Sequence, residues 1–204
     1  VCTSPPRSVG DVNERYAAAV AAIDAANAGD PTRIVVRGTE VPLAQVHGTL
    51  AAEWVADLHP DADETWLLAA RAHHLRRWEL PRSQYEPGRA GYLKWKRDQR
   101  KRHATDVATL LAEFGYDDPT IERVQALVRR DNLAVDPGSQ AIEDAACLAF
   151  VETQLAEVAT KLDRAHLIDV LRKTVKKMTP AGAAAIARIP LEESERSLLA
   201  EALG

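Results

Sequence analysis

Apolar residues recur three and four positions apart through most of the chain, the spacing of amphipathic helices. Tyr16, Val20 and Ile23 share one face of a first segment that Ser8 or Asp11 can cap and that runs to about Ala28. Gly29-Asp30-Pro31 stops it, and residues 33–41 (RIVVRGTEV) read as a short extended piece. A second helix is predicted from about Pro42 to Leu58, with Val46, Leu50, Trp54 and Leu58 in phase, and His59-Pro60-Asp61 breaks it. Asp61 or Asp63 opens a third, which the pattern carries through about Trp78 until Leu80-Pro81 ends it. Residues 80–91 read as a Pro/Gly-containing loop. A long helix follows from about Arg89 to Phe114, closed by Gly115. The next, roughly 117–130, begins on Asp117-Asp118-Pro119. After a loop at 131–138 comes a helix over about 139–163, apolar on almost every side between 145 and 151, which marks it as the central helix. Two or three shorter helices finish the chain, separated at Thr179-Pro180 and Ile189-Pro190. Residues 1–8 read as a disordered N-terminus. With no repeat, heptad run or clear strand pairing, the expectation is an all-α, single-domain helical bundle over 9–204.

Composition narrows this only a little. A chain of 204 residues, 46% hydrophobic and rich in Ala and Leu, can bury one sizeable core. The longest apolar runs, such as 145–151, are too short to span a bilayer, and the start lacks the apolar stretch of a signal peptide. Together with Cys2 and Cys147 as the 2 cysteines, this predicts a cytoplasmic protein with reduced thiols and no membrane partner. Cys147, inside an apolar run, reads as a core residue. Trp54 and Trp66 fall at helical core positions and read as packing.

Charge changes the picture more. The net charge is −4, yet residues 71–103 hold eleven Lys/Arg against Glu79, Glu86 and Asp98. The same stretch contains His73, His74 and His103, three of the 6 histidines, with Trp78 and Trp95. A block this positive on an acidic protein calls for an anionic ligand or a nucleic acid. Arg76, Arg77 and Arg82 surround Trp78 and Pro81, and Tyr85, Arg89, Tyr92, Lys94 and Lys96 follow. Guanidinium groups bind phosphate or carboxylate bidentately, and the aromatic rings can stack a ligand. The plainer alternative for 96–102 is a solvated basic face paired with acidic helices.

Imidazole and carboxylate groups supply the candidate metal ligands. Asp144 sits early on the central helix, in line with Cys147, Leu148, Val151 and Leu155, so its carboxylate must be paired, coordinated or protonated. His73 and His74 point about 100° apart if helical, so one faces a site and the other packs or caps. His103 lies in line with Val107, Leu110 and Phe114 and can face inward, whereas His47 draws no notice from spacing alone. His59 and His166 read as exposed.

The order of these residues resembles the histidine–aspartate (HD) phosphohydrolases: VHGTLAAEWV, LLAARAHHL, RHATDVATLLAEFGY and IEDAACLAF carry it. The strings AARAHHLRRWELPRSQY, GYLKW, GYDDPTIERVQALV and IEDAACLAFVE are similar, more specifically, to an uncharacterised family catalogued as domain of unknown function 4202. The resemblance implies an HD-domain-like fold with His47, His73, His103 and Asp144 as metal ligands and His74 where the superfamily has its aspartate. That departure removes the carboxylate that bridges two metals. What stays open is a single divalent ion (Fe, Mn, Co, Zn or Mg) on His47, His73 or His74, and Asp144, or a metal-free site using His74 as acid/base.

Three functions follow as expectations. The first is a metal-dependent hydrolase of a small phosphorylated or nucleotide-like anion, with His74 and Arg77 catalytic and Arg76, Arg82, Tyr85 and Tyr92 binding substrate. The second is an iron-dependent oxygenase on the same scaffold. The third is a non-enzymatic nucleotide- or RNA-binding module; overall acidity argues against extended duplexes and ranks RNA below a small anion as partner. No Walker loop, zinc-finger cysteine spacing or G-x-S-x-G elbow occurs.

Overall fold

The computed structural model describes residues 9–203, with side chains from Asn13 onward. The expected disorder over 1–8, the Ser8 cap and Cys2 fall outside the described residues, while Asp11 lies inside the first helix, which begins at Val9, and so does not stand at its N-cap. The fold is an all-α bundle with one small hairpin: α1 (Val9–Asn27), β1 (Arg33–Val36), β2 (Thr39–Pro42), α2 (Leu43–Leu58), α3 (Glu64–Ala72), α4 (Gly88–Glu113), α5 (Asp118–Arg129), α6 (Pro137–Lys161), α7 (Arg164–Val175), α8 (Pro180–Ala185) and α9 (Glu193–Leu203). Short 3-10 turns occupy Arg77–Glu79, Arg82–Gln84 and Ile186–Arg188.

Most boundaries follow their signals. Asp63 accepts from the backbone N–H groups of Thr65 and Trp66 at the start of α3. Asp117, Asp136 and Asp163 cap α5, α6 and α7 in the same way, and Thr179 caps α8. At the end of α4, Gly115 takes φ 69° while its N–H bonds to Ala112 O and that of Tyr116 to Leu111 O, a Schellman closure. The extended piece at 33–41 is an antiparallel hairpin whose turn, Arg37-Gly38, has both φ values positive (51° and 80°).

One boundary differs in a way that shapes the site. The third helix ends at Ala72, not at Trp78. Arg76 adopts φ 49°, which no helix accommodates, and its N–H bonds to Oδ1 of the buried Asn27 at 2.9 Å. Leu75 stays buried, so the apolar periodicity runs on through a segment that is a chain of tight turns. His73 and His74 are therefore turn residues rather than consecutive positions on a helix face.

Helix α6 is central. Its Ile142 and Ala145 pack with Ile23, Val55, Leu68, Val107 and Leu127 from α1–α5. Further along, Leu148, Val151 and Leu155 pack with Leu167, Leu171 and Leu199 from the C-terminal helices. Trp54 of α2 packs against both groups, and its indole N–H reaches Glu152 at 3.3 Å. Helices α2 and α3 cross very closely: a Cβ on Gly48 would lie 2.3 Å from the Arg71 carbonyl oxygen. That contact brings His47 of α2 alongside the turn that ends α3.

Candidate metal and anion site

Four imidazoles meet where α2, the turn after α3, and α4 face α6. His47 and His74 stack with ring centroids 4.8 Å apart. His73 lies 4.1 Å from His74 and 6.1 Å from His47, and His103 of α4 lies 6.2 Å from His74 on the other side. His47, His73 and His74 each offer one ligand atom within 4.8 Å of the others. His47, His73 and His103 are buried, and His74 is partly so.

Hydrogen bonding fixes the protons on three of these rings. His73 Nδ1 lies 2.8 Å from Ala70 O and His103 Nδ1 2.7 Å from Leu75 O. A carbonyl only accepts, so both Nδ1 atoms carry the proton and both Nε2 atoms are bare. His47 Nε2 lies 2.8 Å from Thr153 Oγ1, whose single proton goes to Ala149 O at 2.6 Å. Thr153 can then only accept, so His47 is protonated at Nε2 and bare at Nδ1. The bare atoms His47 Nδ1, His73 Nε2 and His103 Nε2 are buried and make no hydrogen bond. Native structures seldom leave such groups unpaired without a ligand or water. Backbone or hydroxyl partners on the far nitrogen are also what orients metal-binding histidines.

Burial and surrounding positive charge keep these rings neutral. Desolvation, and then the Arg77 charge, push His47 down to about 3. His103 falls to about 3 for the same reasons, against the opposing pull of the Leu75 carbonyl. His73 and His74 are held well below the ordinary histidine value, chiefly by desolvation.

The histidines form one wall of a cavity of about 240 Å³. Arg77, Lys96, Arg100, Arg130 and Lys177 also line it, against Glu143 as the single carboxylate. Glu143 is engaged by Arg100 at 3.0 Å and by Arg130 at 3.3 Å. Burial works to raise its pKa, but the charges of Arg130 and Arg100, with those of Lys96 and Lys177, together outweigh it and hold it below the usual range. Desolvation lowers Arg130 to about 10, still charged at neutral pH. Among the described residues no carboxylate pairs with Arg77; its guanidinium lies 4.6 Å from the Trp95 ring centroid. Gln99 is buried beneath it, donating to Arg77 O at 2.8 Å and Leu80 O at 2.9 Å and leaving its own Oε1 unpaired. A second lobe of about 320 Å³ shares His47, His74, Arg77 and Gln154 and is walled by Trp78, Leu80, Pro81 and Trp95. The cleft can thus receive a compact anion beside a cluster of neutral imidazoles.

The structure brings together His47, His73, His74, His103, Arg77 and Tyr92. It places four other expected residues elsewhere. Asp144, implied as the final metal ligand, is buried against the start of α8, where it accepts from Thr179 N at 3.1 Å, Thr179 Oγ1 at 2.5 Å and Gln140 Nε2 at 2.8 Å. Its neighbour Glu143, about 100° round the helix, faces the cavity instead. Arg76 is exposed, and its left-handed backbone turns it toward Asp106, away from the histidines. Arg82 is tied to the carbonyls of Tyr85 and Glu86 at 2.8 and 2.7 Å, a loop staple. Tyr85 bonds Asp98 at 3.2 Å on the outer face of α4. Cys147 is a buried core residue, as expected, that also borders the cavity, and burial pushes its thiol up to about 12, which leaves it un-ionised. Arg130, Glu143 and Thr153 escaped the sequence reading. Arg130 occupies a left-handed position (φ 63°) after α5 that no pattern announces.

Fold and site together define an all-α protein with a histidine-walled, cationic cleft. The model of one family, domain of unknown function (DUF4202), matches residues 17–199, and the chain belongs to that family. No curated protein and no solved structure matches it. Among the described residues no helix is long and apolar enough to cross a membrane.

Proposed function

We propose that the protein is a metal-dependent hydrolase of a small phosphorylated or nucleotide-like anion. The observation that carries this reading is the set of buried, unpaired imidazole nitrogens next to a wall of five cations and one carboxylate. His47, His73 and His74 are the residues that would hold the ion. Their nitrogens, within 4.8 Å of one another, need to draw inward to meet bonds of about 2.0–2.1 Å. An all-imidazole donor set suits zinc or iron better than magnesium or manganese, which prefer oxygen. An ion bound there would lower the pKa of a coordinated water and supply hydroxide near neutral pH.

The chain's own residues supply the rest. Arg77, unpaired and backed by Trp95, offers a guanidinium fork to a phosphoryl group. Lys96 and Arg100 neutralise further charge on the same wall. His103 presents a bare nitrogen that can accept and orient a donor from water or substrate. At neutral pH none of the four rings is an imidazolium, so anion neutralisation falls to the arginines and lysines.

The test is phosphate release from a panel of phosphate esters by protein loaded separately with Zn, Fe, Co, Mn and Mg. Turnover is expected with a nitrogen-preferring metal, abolished by His73→Ala and weakened in KM by Arg77→Ala. No release with any metal overturns hydrolysis. Oxygen uptake by the iron form without phosphate release replaces hydrolysis by oxidation.

A further inference from the structure

The basic stretch of α4 contains more charge than the cavity uses. On the other side of Lys96 and Arg100 lies a surface groove of about 310 Å³, lined also by Leu93, Arg97, Lys101, Arg129 and Asp131. Lys96 and Arg100 border both the groove and the histidine cavity, so the two lie side by side along α4. The sequence alternative, a face neutralised by acidic helices, holds for only part of the stretch. Arg100 pairs with Glu143 and Arg102 with Glu79. Among the described residues Lys101 has no carboxylate partner, and Arg97 meets only its half-buried neighbour Asp98 at 3.4 Å. Lys96 with Arg100, and Arg97 with Lys101, form two i,i+4 rows, each rising about 6 Å along the helix axis. Leu93, 53% exposed, gives the groove an apolar edge, and Tyr92, 45% exposed, lines the histidine cavity beside Lys96, which gives the charged track a ring at that end. An acidic protein with one such face presents it to polyanions and repels them elsewhere.

We infer that the groove binds a single-stranded nucleic acid, laid along α4 with its terminal phosphate entering the histidine cavity. Cation rows follow successive phosphates, and Tyr92 offers a stacking surface for a base, the combination that single-strand binding uses. The groove is short and bounded by α4 and the end of α5, which fits a strand end rather than a duplex. The placement of the terminal phosphate rests on the proposed anion site; the groove itself does not depend on hydrolysis.

The experiment is fluorescence anisotropy of the full chain with labelled single-stranded oligonucleotides of one, four and eight nucleotides, with and without a terminal phosphate, across a salt series. Wild type is compared with the Arg97→Glu/Lys101→Glu double variant, and inorganic phosphate binding is measured in parallel. The expected result is affinity that rises with length and with the terminal phosphate and falls with salt. The double variant should bind at least tenfold more weakly, with a salt slope shallower by about 1.4, and bind inorganic phosphate as wild type does. Salt-insensitive binding, no gain with length, or an unaffected double variant overturns the inference. So does equal binding of a sulfated polysaccharide, since that would leave the ring no part. Failure of catalysis alone leaves these binding outcomes readable.

Discussion

Thr153 controls His47 without touching the cavity, which makes Thr153→Val the most incisive substitution. Valine keeps the shape and removes the oxygen that accepts from His47 Nε2 at 2.8 Å. The ring then has two consequences to absorb. Its N–H becomes a buried, unsatisfied donor, costing about 1–3 kcal/mol. For a chain of this size that lowers Tm by roughly 2–4 °C per kcal/mol. Alternatively the ring changes tautomer, placing its proton on Nδ1 and closing the nitrogen that faces the other histidines. Either outcome weakens a metal site, and loss of such orienting partners generally costs about 10–100-fold in affinity. Competition titration of Zn²⁺ against a chromophoric chelator measures this directly, with melting curves of the metal-free proteins as the stability control. Thr153→Ser, which restores the hydroxyl, should recover most of the affinity. If Thr153→Val binds zinc as tightly as wild type, the tautomer argument and His47's place in the donor set are wrong.

Further outcomes follow from the same geometry. His47 and His103 titrate near 3 in the folded chain but at about 6.5 when unfolded, so the unfolded state binds more protons below that value. Their contribution is intact above pH 6.5 and is lost as pH falls; at pH 5 each costs about 2 kcal/mol, and denaturant melts should show steep acid destabilisation between pH 6.5 and 4. Stability that stays flat over that range would mean the rings are hydrated. Arg77→Ala should weaken inorganic phosphate binding by roughly 1.5–3 kcal/mol in calorimetry, as for a hydrogen bond to a charged group, while leaving zinc affinity near wild type. Gly48→Ala should destabilise by about 1–3 kcal/mol despite alanine's better helix propensity, because its Cβ would meet the Arg71 carbonyl. Asp144→Asn should lower thermal stability through the α6–α8 contact and leave zinc affinity unchanged; loss of zinc binding would return Asp144 to the donor set.

The bundle was legible because its signals are local. Capping aspartates, Gly115 and the prolines at 180 and 190 act within a turn of where they stand, and the apolar run of α6 states its own burial. The end of α3 was not, because it is set by Asn27, 49 positions away, holding the Arg76 N–H. Leu75 kept the apolar rhythm across a region whose backbone had already left the helix. In the site, the histidines could be picked from their order and the resemblance it carries, while their partners could not. Thr153 reaches His47 across 106 positions, and Arg100 of α4 and Arg130, just after α5, converge on Glu143. Glu143 was not singled out beside Asp144, because which of the two faces the cavity depends on the rotation of α6. Apolar neighbours surround both, and Asp144 meets its requirement for partners through α8 instead.

The central claim, that neutral imidazoles here hold a metal beside an anion pocket, is tested most directly by X-ray absorption on the zinc-loaded protein. The account predicts one tightly bound ion per chain, with imidazole nitrogens at about 2.0–2.1 Å and a spectrum altered in His73→Ala. A chain that takes up no stoichiometric zinc, or an ion surrounded by oxygen alone, would contradict it.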